Sequence, residues 1–270
     1  MIFPTSRQIS KTRPMKLDLS GKIVVVTGGA RGLGKTEAEA FVDEGCKVVI
    51  VGRDLEKAKE VCSKWRRRGR RVIPLQGDVT KSQDVQRVMQ EVVNTFGRLD
   101  ILVNNAGITG PSLNKIIVEL EEKIWDTMID SHLKSTFLCI KYAAPHMITQ
   151  GWGRIINTAS IHGRVGGRPK LGHYGAAKAG ITALTKTAAR ELGPKGITSN
   201  VIAPGFIRTA QLEKILSAES RKLIREQIPL GRMGDPEEIA NVVVFLSSQA
   251  ASYINGAVID INGGRWEYYI

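Results

Sequence analysis

The chain has 270 residues, 42% of them hydrophobic and 24% charged, the make-up of a globular protein long enough for one large core. Its 39 Lys and Arg against 26 Asp and Glu give a formal charge of +13, yet the densest basic run, 64–71 (KWRRRGRR), falls where a helix beginning near Asp54 should end, so nucleic-acid binding is not expected. No apolar run approaches the roughly 18 residues that span a bilayer, and Cys46, Cys62 and Cys139 are too few and too scattered for a disulfide framework or a metal site, which points to a cytoplasmic protein without a metal.

Residues 1–16 carry Arg7, Lys11 and Arg13 with two prolines and read as a flexible extension; a mitochondrial transit segment shares the same acid-poor, basic character. From Gly21 onward, short β-branched runs alternate with helical patterns, the signature of βαβ units feeding a parallel sheet. Seven strands are expected, at 22–27, 47–52, 71–76, 99–104, 153–158, 197–202 and 257–261. Helices are expected near 33–44, 54–67, 81–96, 117–148, 172–192 and 235–249. Continuous runs such as IVVV and VVIV indicate strands buried on both faces, hence a doubly wound α/β sheet, a Rossmann fold, in a single domain over 17–264.

Just after the first strand and just before the first helix stands TGGARGLG, 27–34. Gly28 permits the tight turn, Gly32 lets backbone approach a pyrophosphate, Gly34 lets the helix pack closely, and the helix N-terminus offers free N–H groups, so a dinucleotide is expected here. The second strand ends at Gly52-Arg53-Asp54, where an NAD-binding protein places a carboxylate for the ribose hydroxyls. Asp54, followed by LEKAKEV, reads as a helix N-cap, which leaves Gly52 in the acidic position with Arg53 beside it and Arg31 in the glycine loop. Both arginines favour a 2′-phosphate and therefore NADP(H) over NAD(H).

Tyr174 and Lys178 lie four apart in a helical pattern and share a face. A tyrosine of ordinary pKa, about 10, gives up its proton poorly at neutral pH. An ammonium about 4 Å away at an effective dielectric of about 20 would contribute about 4 kcal/mol and bring the phenol into working range. Ser160 closes the strand RIINTAS at the carboxyl edge, where open parallel sheets bind ligands.

With NNAG at 104–107 and APGFIRT at 203–209, these motifs make the chain from about Leu17 to Gly264 resemble the short-chain dehydrogenase/reductase family, and in particular its 3-oxoacyl-acyl-carrier-protein reductases. The resemblance implies that Ser160 holds the substrate oxygen, Tyr174 transfers the proton, and Lys178 lowers the tyrosine pKa and binds the nicotinamide ribose. It implies that Thr27, Gly28, Arg31, Gly32, Leu33, Gly34 and Arg53 meet the dinucleotide and that Asp78 and Val79 flank the adenine. Asn105, Ala106, Gly107, Pro204, Gly205, Ile207 and Thr209 complete the cofactor site, with Asn104 supporting the central strand. A homotetramer is implied, with a substrate lid over 206–226.

The sequence departs from the family where an Asn is usual and His132 stands in Ser131-His132-Leu133-Lys134-Ser135. Either its backbone carbonyl serves the proton relay while the ring packs, or the imidazole enters the relay and adds a near-neutral titration. The loop IHGRVGGRPKLGH brings His162, Arg164, Arg168 and His173 towards the site, and most are expected to be solvated. Ile261-Asn262-Gly263-Gly264 replaces a usual Asp-Gly-Gly, and the tail 265–270 (RWEYYI) is expected at a subunit interface or over the site. The leading expectation is a ketoreductase of 3-oxoacyl thioesters or of carbonyls in general. An NAD-linked alcohol, diol or sugar dehydrogenase is the alternative, and a non-catalytic cofactor sensor the third.

Overall fold

Each strand of the computed structural model is a short β-branched run, and β1 (Ile23–Thr27) shows why: all five residues are buried, which suits a strand covered on both faces. It is followed by β2 (Lys47–Gly52), β3 (Val72–Gln76), β4 (Ile101–Asn104), β5 (Gly153–Thr158), β6 (Ile197–Pro204) and β7 (Val258–Ile261). The structure describes residues 16–110, 113–166 and 169–265. The flexible extension expected over 1–16 therefore lies outside the described residues except at Lys16, as do Arg168 and the tail beyond Arg265.

The strands form one parallel sheet in the order β3-β2-β1-β4-β5-β6-β7, so the chain leaves β1 in both directions and opens a crevice between β1 and β4 at their carboxyl ends. The strand period of two then sorts the core. Val24, Val26, Val48, Ile50, Ile101 and Val103 pack on one face, against α1 (Gly32–Asp43), α2 (Leu55–Arg66) and α10 (Pro236–Ser247). Val25, Val49, Val51 and Leu102 pack on the other, against α3 (Ser82–Phe96) and α5 (Ser135–Gln150). Cys46, Cys62 and Cys139 are free thiols within these cores.

The seven strands fall near where the sequence places them, β4 beginning two residues later and β6 running two residues further, so that Pro204 pairs with Ile261. The single helix expected over 117–148 is broken. A 3₁₀ turn at Ile117–Glu119 precedes α4 (Glu122–Ile129), a π-turn at Asp130–Lys134 and then α5. Its continuous apolar content hid the extra residue of the π-turn, a feature that often marks functional positions. The loop after β5 contains a short helix, α6 (His162–Val165), ahead of the long α7 (Gly172–Leu192). Between β6 and α10, α8 (Ala210–Ile215) and α9 (Ala218–Glu226) occupy the segment expected to form a lid.

Candidate active site

The glycine loop is shaped by what it cannot accommodate. Gly28, at φ +70°, donates its N–H to the Val51 carbonyl at 2.8 Å, and a Cβ there would come within 3.1 Å of the Ala106 Cα. A Cβ on Gly34 would meet the Gly28 carbonyl oxygen at 2.7 Å, whereas Gly32, at φ +53°, faces open space. The helix N-terminus behind it has no side-chain cap, so its first N–H groups remain available to an anion. Thr27 ties this loop to the next motif: its hydroxyl accepts the N–H groups of Asn105 and Ala106, both at 3.1 Å. The cradle fits a pyrophosphate.

Asp54 caps α2 as expected, accepting the Lys57 N–H at 3.0 Å. Its second oxygen takes the Arg31 guanidinium at 2.6 Å, so Arg31 is engaged rather than poised for a phosphate, although both side chains stay more than half exposed. Arg53 acts on the Asp78 carboxylate, and Thr80 donates to that carboxylate from both its N–H and its hydroxyl. Asp78 and Val79 border a small hollow with Thr27, Val51 and Gly77.

A cleft of about 420 Å³ opens at the carboxyl edge and gathers Gly32, Leu33, Asn105, Gly107, His132, Ser160, Tyr174, Lys178, Pro204, Gly205, Ile207 and Thr209. Thr27, Gly28, Arg31, Gly34, Arg53, Asp78, Val79 and Ala106 lie outside its walls, the first four in or beside the glycine loop. Its remaining lining is largely apolar, including Leu113, Met128, Ile161, Leu171, Phe206 and Leu212.

On α7, Tyr174 and Lys178 share a face as their spacing requires, with the ammonium 5.6 Å from the phenol ring centroid. The expected lowering of the tyrosine by the lysine is not found. Burial pushes the Tyr174 phenol above its usual range, and the opposing influence is a hydrogen bond with Ser160. The ammonium instead donates to the Thr158 carbonyl at 2.7 Å, and burial brings Lys178 down to about 7 against a partly opposing attraction from Glu37.

His132 sits in the π-turn with its ring across Gly107, where any Cβ would strike the imidazole. Its Nε2 lies 2.8 Å from the Ile108 carbonyl, and its ring meets that of Tyr174 edge to face at 5.4 Å. Burial pushes its pKa down to about 3, so the ring stays neutral and the expected alternative of a near-neutral titration does not hold. Its backbone carbonyl accepts hydroxyls from Thr136 at 2.8 Å and Ser135 at 3.1 Å. The histidines expected in solvent are also corrected: His162 is buried with its ring edge-to-face on Tyr174, and His173 has no exposed surface, whereas Arg164 pairs with Asp260. Arg265, the one described residue of the tail, lays its guanidinium over Phe206 at 4.5 Å, on the cleft wall.

Asn104 was expected to support the central strand, but its partners, and a buried acid on α1, escaped the sequence. Asn104 donates to Asn157 at 2.8 Å, and Asn157 donates to Thr185 at 2.9 Å, a buried chain that fastens β4 and β5 to the helix bearing Tyr174. Glu37, fully buried on α1, acts electrostatically on Lys178. A carboxylate among the apolar positions of α1 was the signal available for it.

A family model described as enoyl-(acyl carrier protein) reductase matches residues 28–265. A 3-oxoacyl-acyl-carrier-protein reductase of Staphylococcus epidermidis is 42% identical over 246 residues, 91% of this chain and 99% of that protein. The reductase of the same name from Aquifex aeolicus is 39% identical over 256 residues, 93% of this chain and all of that one. A crystal structure described as "a putative gluconate dehydrogenase" from Agrobacterium tumefaciens superposes with a TM-score of 0.88 at 33% identity, covering 93% of this chain and 98% of the other. No described helix is long and apolar enough to cross a membrane. The chain belongs to the short-chain dehydrogenase/reductase family, oxidoreductases that act on CH–OH groups with a nicotinamide cofactor.

Proposed function

We propose that the protein is an NADPH-dependent ketoreductase that reduces a 3-oxoacyl thioester or a related apolar carbonyl compound to the alcohol. The observation that carries the reading is the convergence of Ser160, Tyr174 and Lys178 on one cleft beside the glycine loop. The curated relatives named as 3-oxoacyl-acyl-carrier-protein reductases support the substrate class. So do the walls around Met128, Phe206 and Leu212, which favour an acyl chain over a polyol.

Bound nicotinamide supplies the hydride that reaches the carbonyl carbon. Ser160 fixes the substrate oxygen by donating its hydroxyl, and Tyr174 delivers a proton to that oxygen. Burial keeps the phenol protonated and suits it to the donor role in reduction. Lys178 offers its remaining donors to the cofactor ribose and stabilises the phenolate left on Tyr174. Thr27, Gly28, Gly32, Leu33, Gly34, Asn105, Ala106 and Gly107 frame the phosphates and central strand edge. Pro204, Gly205, Ile207 and Thr209 would border the carboxamide, and Asp78 with Val79 the adenine. Arg53, and Arg31 once drawn away from Asp54, would select the 2′-phosphate.

The segment 206–226, holding α8 and α9, closes over substrate, and the enzyme works in the cytoplasm as a homotetramer. A gluconate-type oxidation is the second reading, favoured by the superposed Agrobacterium structure. Following NADPH and NADH absorbance with β-ketoacyl thioesters and with sugar acids separates the two. Better turnover of gluconate with NAD would overturn the first.

A further inference from the structure

The segment 206–226, which holds α8 and α9, has two roots, and both lie against the chain that leaves β7. At the first, Gly205 donates its N–H to the Ile261 carbonyl at 2.9 Å, and a Cβ there would come within 2.9 Å of the Asn262 Cα. At the second, Leu230 donates to the Gly263 carbonyl at 3.2 Å, and a Cβ on Gly263 would strike the Ile228 side chain at 2.7 Å. Gly263 at φ +66° and Gly264 at φ +82° adopt the left-handed backbone that side chains avoid. They turn the chain back, so that the Arg265 N–H reaches the Asn262 carbonyl at 3.2 Å. The turn delivers a guanidinium to a buried place, with Arg265 only 7% exposed. Its guanidinium carbon stands 4.5 Å from the centroid of the Phe206 ring, and a terminal N–H donates to the side-chain carbonyl of Gln227, the residue that caps α9. One side chain therefore touches both the residue that opens the segment and the residue that follows it.

We propose that Arg265 is a specificity-determining residue, a clasp across the two roots of the 206–226 segment that fixes the Phe206 wall of the cleft and so decides how well a long acyl chain is held. The inference rests on the reading of the cleft as a 3-oxoacyl thioester site and names the residue that governs chain length there. Phe206 lines the cleft and Arg265 does not, so the arginine is a positioning residue that acts through the ring. A cation held over an aromatic face and out of water binds that face more firmly than an exposed one does, and the bond to Gln227 keeps the guanidinium from sliding off it. Leu212 on α8 carries the same apolar lining into the segment, so a ring held at its root orders the wall beyond it. Every 3-oxoacyl thioester presents the same carbonyl and thioester groups. What differs is the apolar chain beyond the carbonyl, a methyl in the 3-oxobutanoyl compound and a heptyl chain in the 3-oxodecanoyl one. Only the second has enough apolar surface to draw on a fixed wall.

The test is the ratio of kcat/KM for the 3-oxodecanoyl thioester to that for the 3-oxobutanoyl thioester in Arg265→Met, which keeps an unbranched side chain and removes its charge and donors. The ratio should fall about tenfold, with the loss in KM for the longer substrate. A side chain that only stabilised the fold would lower both values by one factor, so an equal loss, or an unchanged or raised ratio, overturns the proposal. Phe206→Leu takes away the ring face and should lower the ratio as well. Because both residues act through one contact, the double variant should fall no further than the larger single change, and additive losses overturn the clasp. Arg265→Gln guards against a folding failure of the methionine variant and should move the ratio alike, whereas Arg265→Lys, with a cation still available to the ring, should restore most of it. Amide hydrogen exchange of the full chain gives a readout that needs no substrate. Exchange across 206–226 should quicken about tenfold in Arg265→Met while α1 exchanges as in the wild type, and unchanged exchange in the segment overturns the proposal. The two layers separate cleanly: a wild type that reduces neither thioester sinks the substrate reading, whereas a wild type that reduces both, with ratio and exchange unmoved at position 265, sinks only the clasp.

Discussion

Cofactor preference turns on a competition between Asp54 and an incoming phosphate for the Arg31 guanidinium. The pair stands at 2.6 Å, but Arg31 is 71% and Asp54 52% exposed, so solvent holds its worth to about 1 kcal/mol or less. A charge-assisted hydrogen bond from Arg31 to a 2′-phosphate contributes about 1.5–3 kcal/mol, enough to displace the aspartate. Net of the displaced aspartate, Arg31→Ala is therefore expected to weaken NADPH about two- to hundredfold and to change NADH less than about twofold. Asp54→Asn should act in the opposite direction. Asparagine caps a helix as well as aspartate does, so α2 keeps its start while one carboxylate leaves the neighbourhood of the phosphate. The gain for NADPH should be about two- to fivefold and should shrink as salt is raised. Fluorescence titration with both cofactors at fixed ionic strength, with kcat/KM alongside, measures each quantity. Equal losses for NADPH and NADH in Arg31→Ala, or better use of NADH by the wild type, would refute the reasoning.

Thr185→Val removes the acceptor of Asn157 and leaves a buried amide N–H unanswered, for an expected loss of about 1–3 kcal/mol in urea unfolding, with kcat falling because α7 is no longer held to β5. His132→Asn should leave the shape of the pH–rate profile unchanged between pH 5 and 9, since the imidazole is already neutral there; a neutral-range limb that disappears in the variant would restore the titrating role. The same variant should gain acid stability relative to wild type. The folded ring refuses a proton that the unfolded one takes below about 6.5, so His132 costs stability as pH falls from there towards about 3. Glu37 has the opposite sign. Folded, it holds its proton to about pH 8, and unfolded it releases it from about 4.5, so it lowers stability as pH rises between those values, at up to about 1.4 kcal/mol per pH unit. Urea midpoints of wild type and Glu37→Gln at pH 5 and pH 7 should diverge accordingly, and parallel midpoints would contradict the buried acid.

What could be read from the chain was whatever a local rule enforces. The period-two strands, the Asp54 cap, the glycines that a Cβ would crowd and the four-residue spacing of Tyr174 and Lys178 each follow from geometry within a few residues. What could not be read depends on partners far along the chain. The Asn104–Asn157–Thr185 thread crosses 53 and then 28 residues, and the lysine donates to a carbonyl 20 residues back rather than charging its tyrosine. The apolar run over 117–148 gave no sign of its π-turn, because an inserted residue alters the phase of a helix without altering its composition. Yet two positions broke local rules openly: Glu37 within the apolar stripe of α1, and His132 where the resembled family carries an asparagine. Each proves to be buried and tied to Tyr174 or Lys178, the histidine by its ring and the glutamate by its charge. A sequence selected only for stability would have placed an apolar residue at position 37. Held there as the neutral acid, Glu37 costs the fold less than a buried charge would, which is why burial lifts its pKa to about 8.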